Sequence, residues 1–206
     1  MSLNIVSYFF IFLALLVCTL KYSLLKRSNQ KYFIYYLLFV FVNEILQIFT
    51  AEYLNISTLF NINLYDIVTY LFFVIWYFRV LKNKIIVKVL GFIYLMFLII
   101  SLVTENIFNE FLEINTYAGT VLVLILVIKF YSELLIKNET INFLKEPKFW
   151  ISTGLLIFNV GYLPTLFLLN LNYYEIINVD LIMTVLNIFL YSCLIKGFLC
   201  YQKKIN

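Results

Sequence analysis

The chain has 206 residues, 64% of them hydrophobic and only 13% charged, with a formal charge of +4 and no histidine. A water-soluble domain of this length runs nearer half apolar, so the mean hydropathy of +0.98 excludes an ordinary soluble fold and makes lipid the solvent for most of the surface. The missing histidine removes the commonest general base and metal ligand, which argues against Ser–His and HExxH hydrolases.

The expected fold is an all-α membrane protein: a single domain over 1–206, built as a seven-transmembrane-helix bundle. Apolar runs near the ~20 residues needed to cross a ~30 Å hydrocarbon core recur along the chain. The first lies near 3–20. It has no charged leader and no small-residue cleavage site, and Lys21, Lys26 and Arg27 follow it, so it reads as a retained span and not as a signal peptide. The next spans fall near 32–50, 60–78, 85–103 and 114–136. A polar stretch at 137–148 ends in Pro147, and Phe149 and Trp150 then suit an interfacial anchor for the sixth span, near 149–171. The seventh lies near 177–200.

Charge sets the orientation. The 15 Lys and Arg residues form four groups, at 21/26/27/31, 79/82/84/88, 129/137/145/148 and 196/203/204. With seven spans, these are the first, third and fifth connections and the C-terminal end, all on one face. The opposite face carries Glu52, Glu105, Glu110, Glu113 and Glu175 and no basic residue. Lys and Arg stay on the cytoplasmic side during insertion, so the N-terminus is expected outside and the C-terminus in the cytoplasm of a bacterial inner membrane. A basic stripe interleaved with aromatics on a polar segment is lacking, so the expected partner is the bilayer and not nucleic acid.

Cys18, Cys193 and Cys200 fall near cytoplasmic helix ends without CxxC spacing and read as small packing residues. No metal or other cofactor is expected. A parallel internal repeat of three-plus-one-plus-three spans is also suggested. Lys21–Lys26 echoes 129–135, Lys31-Tyr32-Phe33 echoes Lys148-Phe149-Trp150, and Asp66-Ile67-Val68-Thr69 echoes Asp180-Leu181-Ile182-Met183-Thr184, at offsets of 108, 117 and 114.

Ionisable groups within spans point to function, because each opposes insertion by about 2.5–3.5 kcal/mol. Glu44 lies thirteen residues past Lys31, and Asp66 lies thirteen before Arg79. Both are therefore roughly 20 Å above the cytoplasmic boundary, at matching depth on consecutive antiparallel helices. Asn43, Gln47, Asn115 and Asn159 share that layer, Tyr65, Tyr117 and Tyr162 offer hydroxyls at its rim, and Asp180 and Asn187 bracket it on the seventh span. The result is an expected outward-facing polar pocket built by spans two, three, five, six and seven. The outer half has no basic partner for Glu44 or Asp66, so the pair shares a proton, holds a cation or amine, or lines a water-filled vestibule. The plainer alternative makes Asp66 an interfacial cap and Glu44 a protonated group bonded to a carbonyl. Gly154, Gly161 and Pro164 concentrate on the sixth span and mark close packing, a kink or a gate there. Lys129 and Lys196 lie near the inner edge, where long side chains snorkel; this depth argues against a retinal-binding lysine.

The span-two carboxylate, the Asn63-x-Tyr65 start of span three and the Pro147-x-Phe149-Trp150-Ile151 start of span six resemble uncharacterised small bacterial seven-helix membrane proteins. That group is similar to the seven-transmembrane sensory regions of some histidine kinases. The resemblance implies a non-enzymatic sensory or ligand-binding module. The sequence ends at Asn206 without a kinase's catalytic histidine or ATP-binding domain, so the expected partner is a separate cytoplasmic signalling protein. Two further classes compete. One is a small-solute or cation- or proton-coupled transporter, since the layout resembles small seven-helix sugar transporters, although their Pro-Gln pairs are missing. The other is a membrane accessory or gating component of a bacterial defence system. A carboxylate-using hydrolase lacks a nucleophile or metal cluster.

Overall fold

The structure is a computed structural model that describes residues 2–26, 28–54, 57–136, 143–170 and 178–200. The described residues form eight α-helices: α1 (Ser2–Leu20), α2 (Tyr22–Leu25), α3 (Phe33–Glu52), α4 (Leu59–Val80), α5 (Lys84–Thr104), α6 (Glu113–Leu135), α7 (Pro147–Asn170) and α8 (Val179–Leu199). Single 3₁₀ turns at Asn29–Tyr32 and Phe143–Lys145 precede α3 and α7. Each of the seven predicted segments is a helix, with ends within two residues of expectation. Six are long and apolar enough to cross a membrane: the segments starting at Asn29, Leu59, Lys84, Glu113, Pro147 and Val179. The chain is an all-α, multi-pass membrane protein.

Helix ends follow local chemistry. Asn83 caps α5 by accepting from Ile85 N and Ile86 N, each at 3.2 Å. Asn178 caps α8 by accepting from Leu181 N at 3.0 Å. Each Asn side chain satisfies helical N–H groups that have no partner within the first turn. At the other end of α4, the Glu133 carboxylate accepts from Lys82 N at 2.8 Å and Asn83 N at 3.2 Å, tying the α4–α5 turn to α6. The Lys84 ammonium donates to Phe78 O across the same turn.

The chain divides into two compact units, one of residues 1–37 and 134–206 and the other of residues 38–133. In the first, α8 packs against both α1 and α7. This unit joins the first predicted span to the last two, whereas a three-plus-one-plus-three repeat would group the first three spans. Its seam is made by small residues. A Cβ added at Gly154 would lie 2.8 Å from Cys193 Cβ and 3.1 Å from Leu190 O, and one at Gly197 would lie 3.0 Å from Pro147 O. Without a hydrophobic drive between helices in lipid, such close backbone approach is what holds them together. Gly154→Val is therefore expected to force α7 and α8 apart and to lower the thermal midpoint of the purified protein. Gly161 meets only the Leu186 side chain, which can move, so Gly161→Ala is expected to lower it less. Helix α7 runs unbroken through Pro164, whose ring is exposed.

The same unit anchors its α7 end through Trp150. The indole N–H donates to Leu144 O at 2.9 Å, and Lys196 Nζ stands 5.9 Å from the ring centre. The Cys200 thiol donates to the same carbonyl at 3.4 Å, while Cys18 and Cys193 are buried. The Phe33 and Phe198 rings meet edge to face at 5.7 Å.

The second unit contains the rest of α3, all of α4 and α5, and α6 up to Glu133. Its buried faces read as helical stripes. On α4 they are Asn63, Asp66, Tyr70, Phe73 and Tyr77; on α5 they are Val87, Gly91, Tyr94, Leu98 and Ser101. The opposite faces expose large apolar side chains, among them Phe92, Phe97 and Val103 on α5. Polar groups inside and apolar groups outside reverse the order of a water-soluble protein, as a lipid surround requires.

Candidate functional site

The second unit holds a ladder of buried polar side chains between α4, α5 and α6. It starts from spacing: Asn63, Asp66 and Tyr70 lie three and four residues apart and so share one face of α4. Asn63 is fully buried. Its amide donates to Ile107 O at 2.9 Å and Glu110 O at 2.8 Å, and its carbonyl accepts from Leu112 N at 3.0 Å. One side chain thus satisfies three backbone groups of the α5–α6 connection. Glu105 supports the same connection: Ser101 Oγ donates to one of its carboxylate oxygens, and the other accepts from Ile114 N at 3.2 Å.

One turn further along α4, Asp66 Oδ2 lies 2.7 Å from Thr116 Oγ1 on α6. The Asp66 side chain is 7% exposed and Thr116 is fully buried. Thr116 Oγ1 also lies 3.0 Å from Leu112 O. A hydroxyl carries one proton, so it donates fully to only one of these two oxygens. Beyond it, the Tyr70 hydroxyl lies 3.0 Å from Thr120 Oγ1 and 3.3 Å from Thr116 O. Gly119 makes this fit possible, because a Cβ there would lie 2.2 Å from the Tyr70 ring.

From α5, the Tyr94 hydroxyl donates to Asn115 Oδ1 at 2.8 Å, and its ring meets that of Tyr70 edge to face at 5.9 Å. Asn115 is fully buried, yet its Nδ2 has no hydrogen-bond partner among the described residues. Asn43 Nδ2 on α3 is in the same condition, with the side chain 3% exposed. Both are buried amide donors that find no acceptor among the described residues.

The sequence-derived candidates fall in both units. Asn43, Glu44, Gln47, Tyr65, Asp66, Asn115 and Tyr117 belong to the second unit. Of these, Asp66 and Asn115 join the ladder, the first from α4 and the second from α6. Asn43 continues the buried stripe of Phe33, Tyr36, Leu37 and Val40, and Glu44 stands at its edge, partly exposed. Among the described residues no hydrogen bond or ion pair reaches Glu44, and Asp66 is bonded to Thr116 instead. Tyr65, Gln47 and Tyr117 are half-buried.

Asn159, Tyr162, Asp180 and Asn187 belong to the first unit. Asn159 is buried and donates back to Leu155 O at 2.7 Å within its own helix. Asp180 is exposed in the first turn of α8, where a carboxylate is favoured by the helix dipole. Asn187 and Tyr162 are half-buried, the latter 5.5 Å from the Phe158 ring.

Sequence reasoning missed Thr116, Thr120, Tyr70 and Tyr94 as members of the site. Hydroxyl side chains are tolerated in spans and carry no charge signal. Their helical spacing opposite Asp66, at 116 and 120, is the cue that would have found them.

No protein-family model, curated protein or solved structure matches this chain.

Proposed function

We propose that the protein is a non-enzymatic sensory or ligand-binding module of a bacterial inner membrane, acting through its buried polar ladder and signalling to a separate cytoplasmic protein. The observation that carries this reading is Asp66: a carboxyl buried inside a three-helix layer, bonded to one hydroxyl and in no ion pair among the described residues. A carboxyl at that depth that serves structure alone is expected to be paired; one without a cationic partner is open to a cation or an amine. Glu44, at the edge of the α3 stripe and outside the ladder, is the second carboxyl that the proposal tests.

The orientation belongs to the same proposal. Lys21, Arg79 and Lys196 follow or end α1, α4 and α8, and Lys129 lies in the last two turns of α6, while Lys31, Lys84 and Lys148 stand at the starts of α3, α5 and α7. Alternate helix ends are thus basic, which supports seven crossings with the N-terminus outside. Helix α1, of 19 residues, is about 28 Å long and comparable to the hydrocarbon core. Cysteine labelling in intact cells tests this. A cysteine at Phe108, between α5 and α6, is expected to react with an impermeant maleimide, and one at Lys82 only after lysis; the reverse pattern inverts the topology.

The ligand reading is tested by thermal unfolding of the reconstituted protein against monovalent cations and short primary amines. A ligand at a hundred times its Kd adds about 2.7 kcal/mol of stability, which is readily seen as a rise in midpoint. Wild type is expected to show the rise, and Asp66→Asn or Glu44→Gln to insert normally without it. If both variants respond as wild type does, the carboxyls serve packing alone. Accumulation of the same amine inside proteoliposomes would identify a transporter instead.

A further inference from the structure

The lipid-facing side of the second unit carries a groove of about 470 Å³ between α5 and α6, within the usual range for a small-molecule site. Leu90, Ile93 and Phe97 form one wall, and Tyr117, Val121 and Ile125 form the other. It extends along roughly 16 Å of α6. Ile93, Phe97 and Val121 are 45%, 45% and 44% exposed on helices that cross the membrane, so whatever fills the groove is dissolved in the bilayer.

A second transmembrane helix is a poor occupant. Close helix approach needs small residues on the contact face. The glycines of both walls are turned inward instead: Gly91 faces Val74 at 3.0 Å, and Gly119 faces the Tyr70 ring. The lining is left branched and aromatic apart from Ala118, a surface that follows the shape of a flexible chain.

Charge decides the head group. At one end of the groove lie Ile114 and Tyr117, next to exposed Glu113 in the first turn of α6. Glu105 and Glu110 precede it, and no Lys or Arg occurs between Lys88 and Lys129. An anionic head group would meet three carboxylates there and no basic side chain from this stretch, which outweighs the partial positive charge of the α6 N-terminus. We infer that the α5–α6 groove holds the acyl chain of a single-chain amphiphile whose positively charged or zwitterionic head group lies at the Glu113 end. This site is distinct from the Asp66 proposal, although one side chain touches both: Tyr94 lines the groove and donates its hydroxyl to Asn115.

The test uses the full chain in phosphatidylcholine vesicles and lysophosphatidylcholine with a diazirine in its acyl chain. Photolabelled residues are mapped by mass spectrometry with and without excess unlabelled lysophosphatidylcholine. Labelling of α5 and α6 at Phe97 and Val121 is expected to be saturable, and that of Val160 and Phe167, exposed on α7, to be non-saturable. Ala118→Phe and Ile125→Phe, which fill the groove near its middle and at one end, are each expected to lower saturable labelling about tenfold, the scale of excluding one or two methylenes from an apolar pocket. Two variants are used so that misfolding of one leaves the other informative.

Non-saturable labelling equal to that of α7 would mean bulk lipid only and would overturn the site. So would saturable labelling that both variants leave unchanged, or cross-links from the groove to another polypeptide. Competition by palmitate as strong as that by lysophosphatidylcholine would overturn the head-group assignment.

Discussion

Asn63→Ala is expected to destabilise the protein by about 2–4 kcal/mol, because each buried backbone group left without its partner costs about 1–3 kcal/mol. Three backbone groups depend on this one side chain: the buried N–H of Leu112 and the part-buried carbonyls of Ile107 and Glu110. The expectation sits at the bottom of the summed range and below it, since two of the groups are only part-buried and polar bonds within membranes average about 0.6 kcal/mol when the unfolded chain finds other partners. The measurement is unfolding of the purified protein in mixed micelles. Asn63→Asp tests the two donors: the acceptor for Leu112 N survives, but a buried carboxylate oxygen would face the carbonyls of Ile107 and Glu110, so its midpoint is expected to fall at least as far as that of Asn63→Ala. A variant as stable as wild type would mean that the α5–α6 connection is held by Glu105 and Glu110 alone.

Gly119→Ala is the second large effect. Its methyl would stand 2.4 Å from Tyr70 Cγ, at the root of the ring and not at a movable tip. The ring has little freedom, since its hydroxyl is held at Thr116 O and Thr120 Oγ1 and its edge meets Tyr94. Overpacking of this kind costs about 1–3 kcal/mol. The diagnostic result is a double-mutant cycle. Tyr70→Ala is destabilising on its own, but in the Gly119→Ala background much of the loss is expected to vanish, with a coupling energy of at least about 1 kcal/mol. Additive effects would show that the two residues do not contact each other in the folded protein.

The two variants also bear on the site. Displacing Tyr70 disturbs the bonds to Thr116 and Thr120, and Thr116 is the hydroxyl that meets Asp66. Gly119→Ala is therefore expected to weaken any response that Asp66→Asn abolishes. Asn63→Ala, which acts at the connection, is expected to reduce stability first.

Helix positions were legible because lipid imposes a length on each crossing, and runs of about twenty apolar residues leave little choice of boundary. Charge alternation was legible for a similar reason: basic residues such as Lys31, Arg79 and Lys148 mark the ends of spans. Asp66 stood out because a carboxyl in an apolar run is rare. Its partner did not. Depth along a helix follows from counting residues, but rotation about the axis follows only from packing. Equal depth on adjacent helices suggested Glu44 as the neighbour of Asp66, but counting could not find the hydroxyl that bonds it, Thr116 on α6.

The same distinction separates Gly154 from Gly161. Both were readable as small residues seven positions apart, but only the fold shows that the first meets backbone and the second a movable leucine. The sequence by itself determined that the chain is an all-α membrane protein, which segments are helical, and that two acidic groups, Glu44 and Asp66, lie within them. Tertiary structure alone decided that α1 packs with α8, that Asn63 closes the α5–α6 connection, and that Asp66 belongs to a ladder with Thr116, Tyr70 and Tyr94. The reason is physical: composition and length measure how much of each segment lipid will accept, while hydrogen bonds and close contacts depend on which faces of those segments meet.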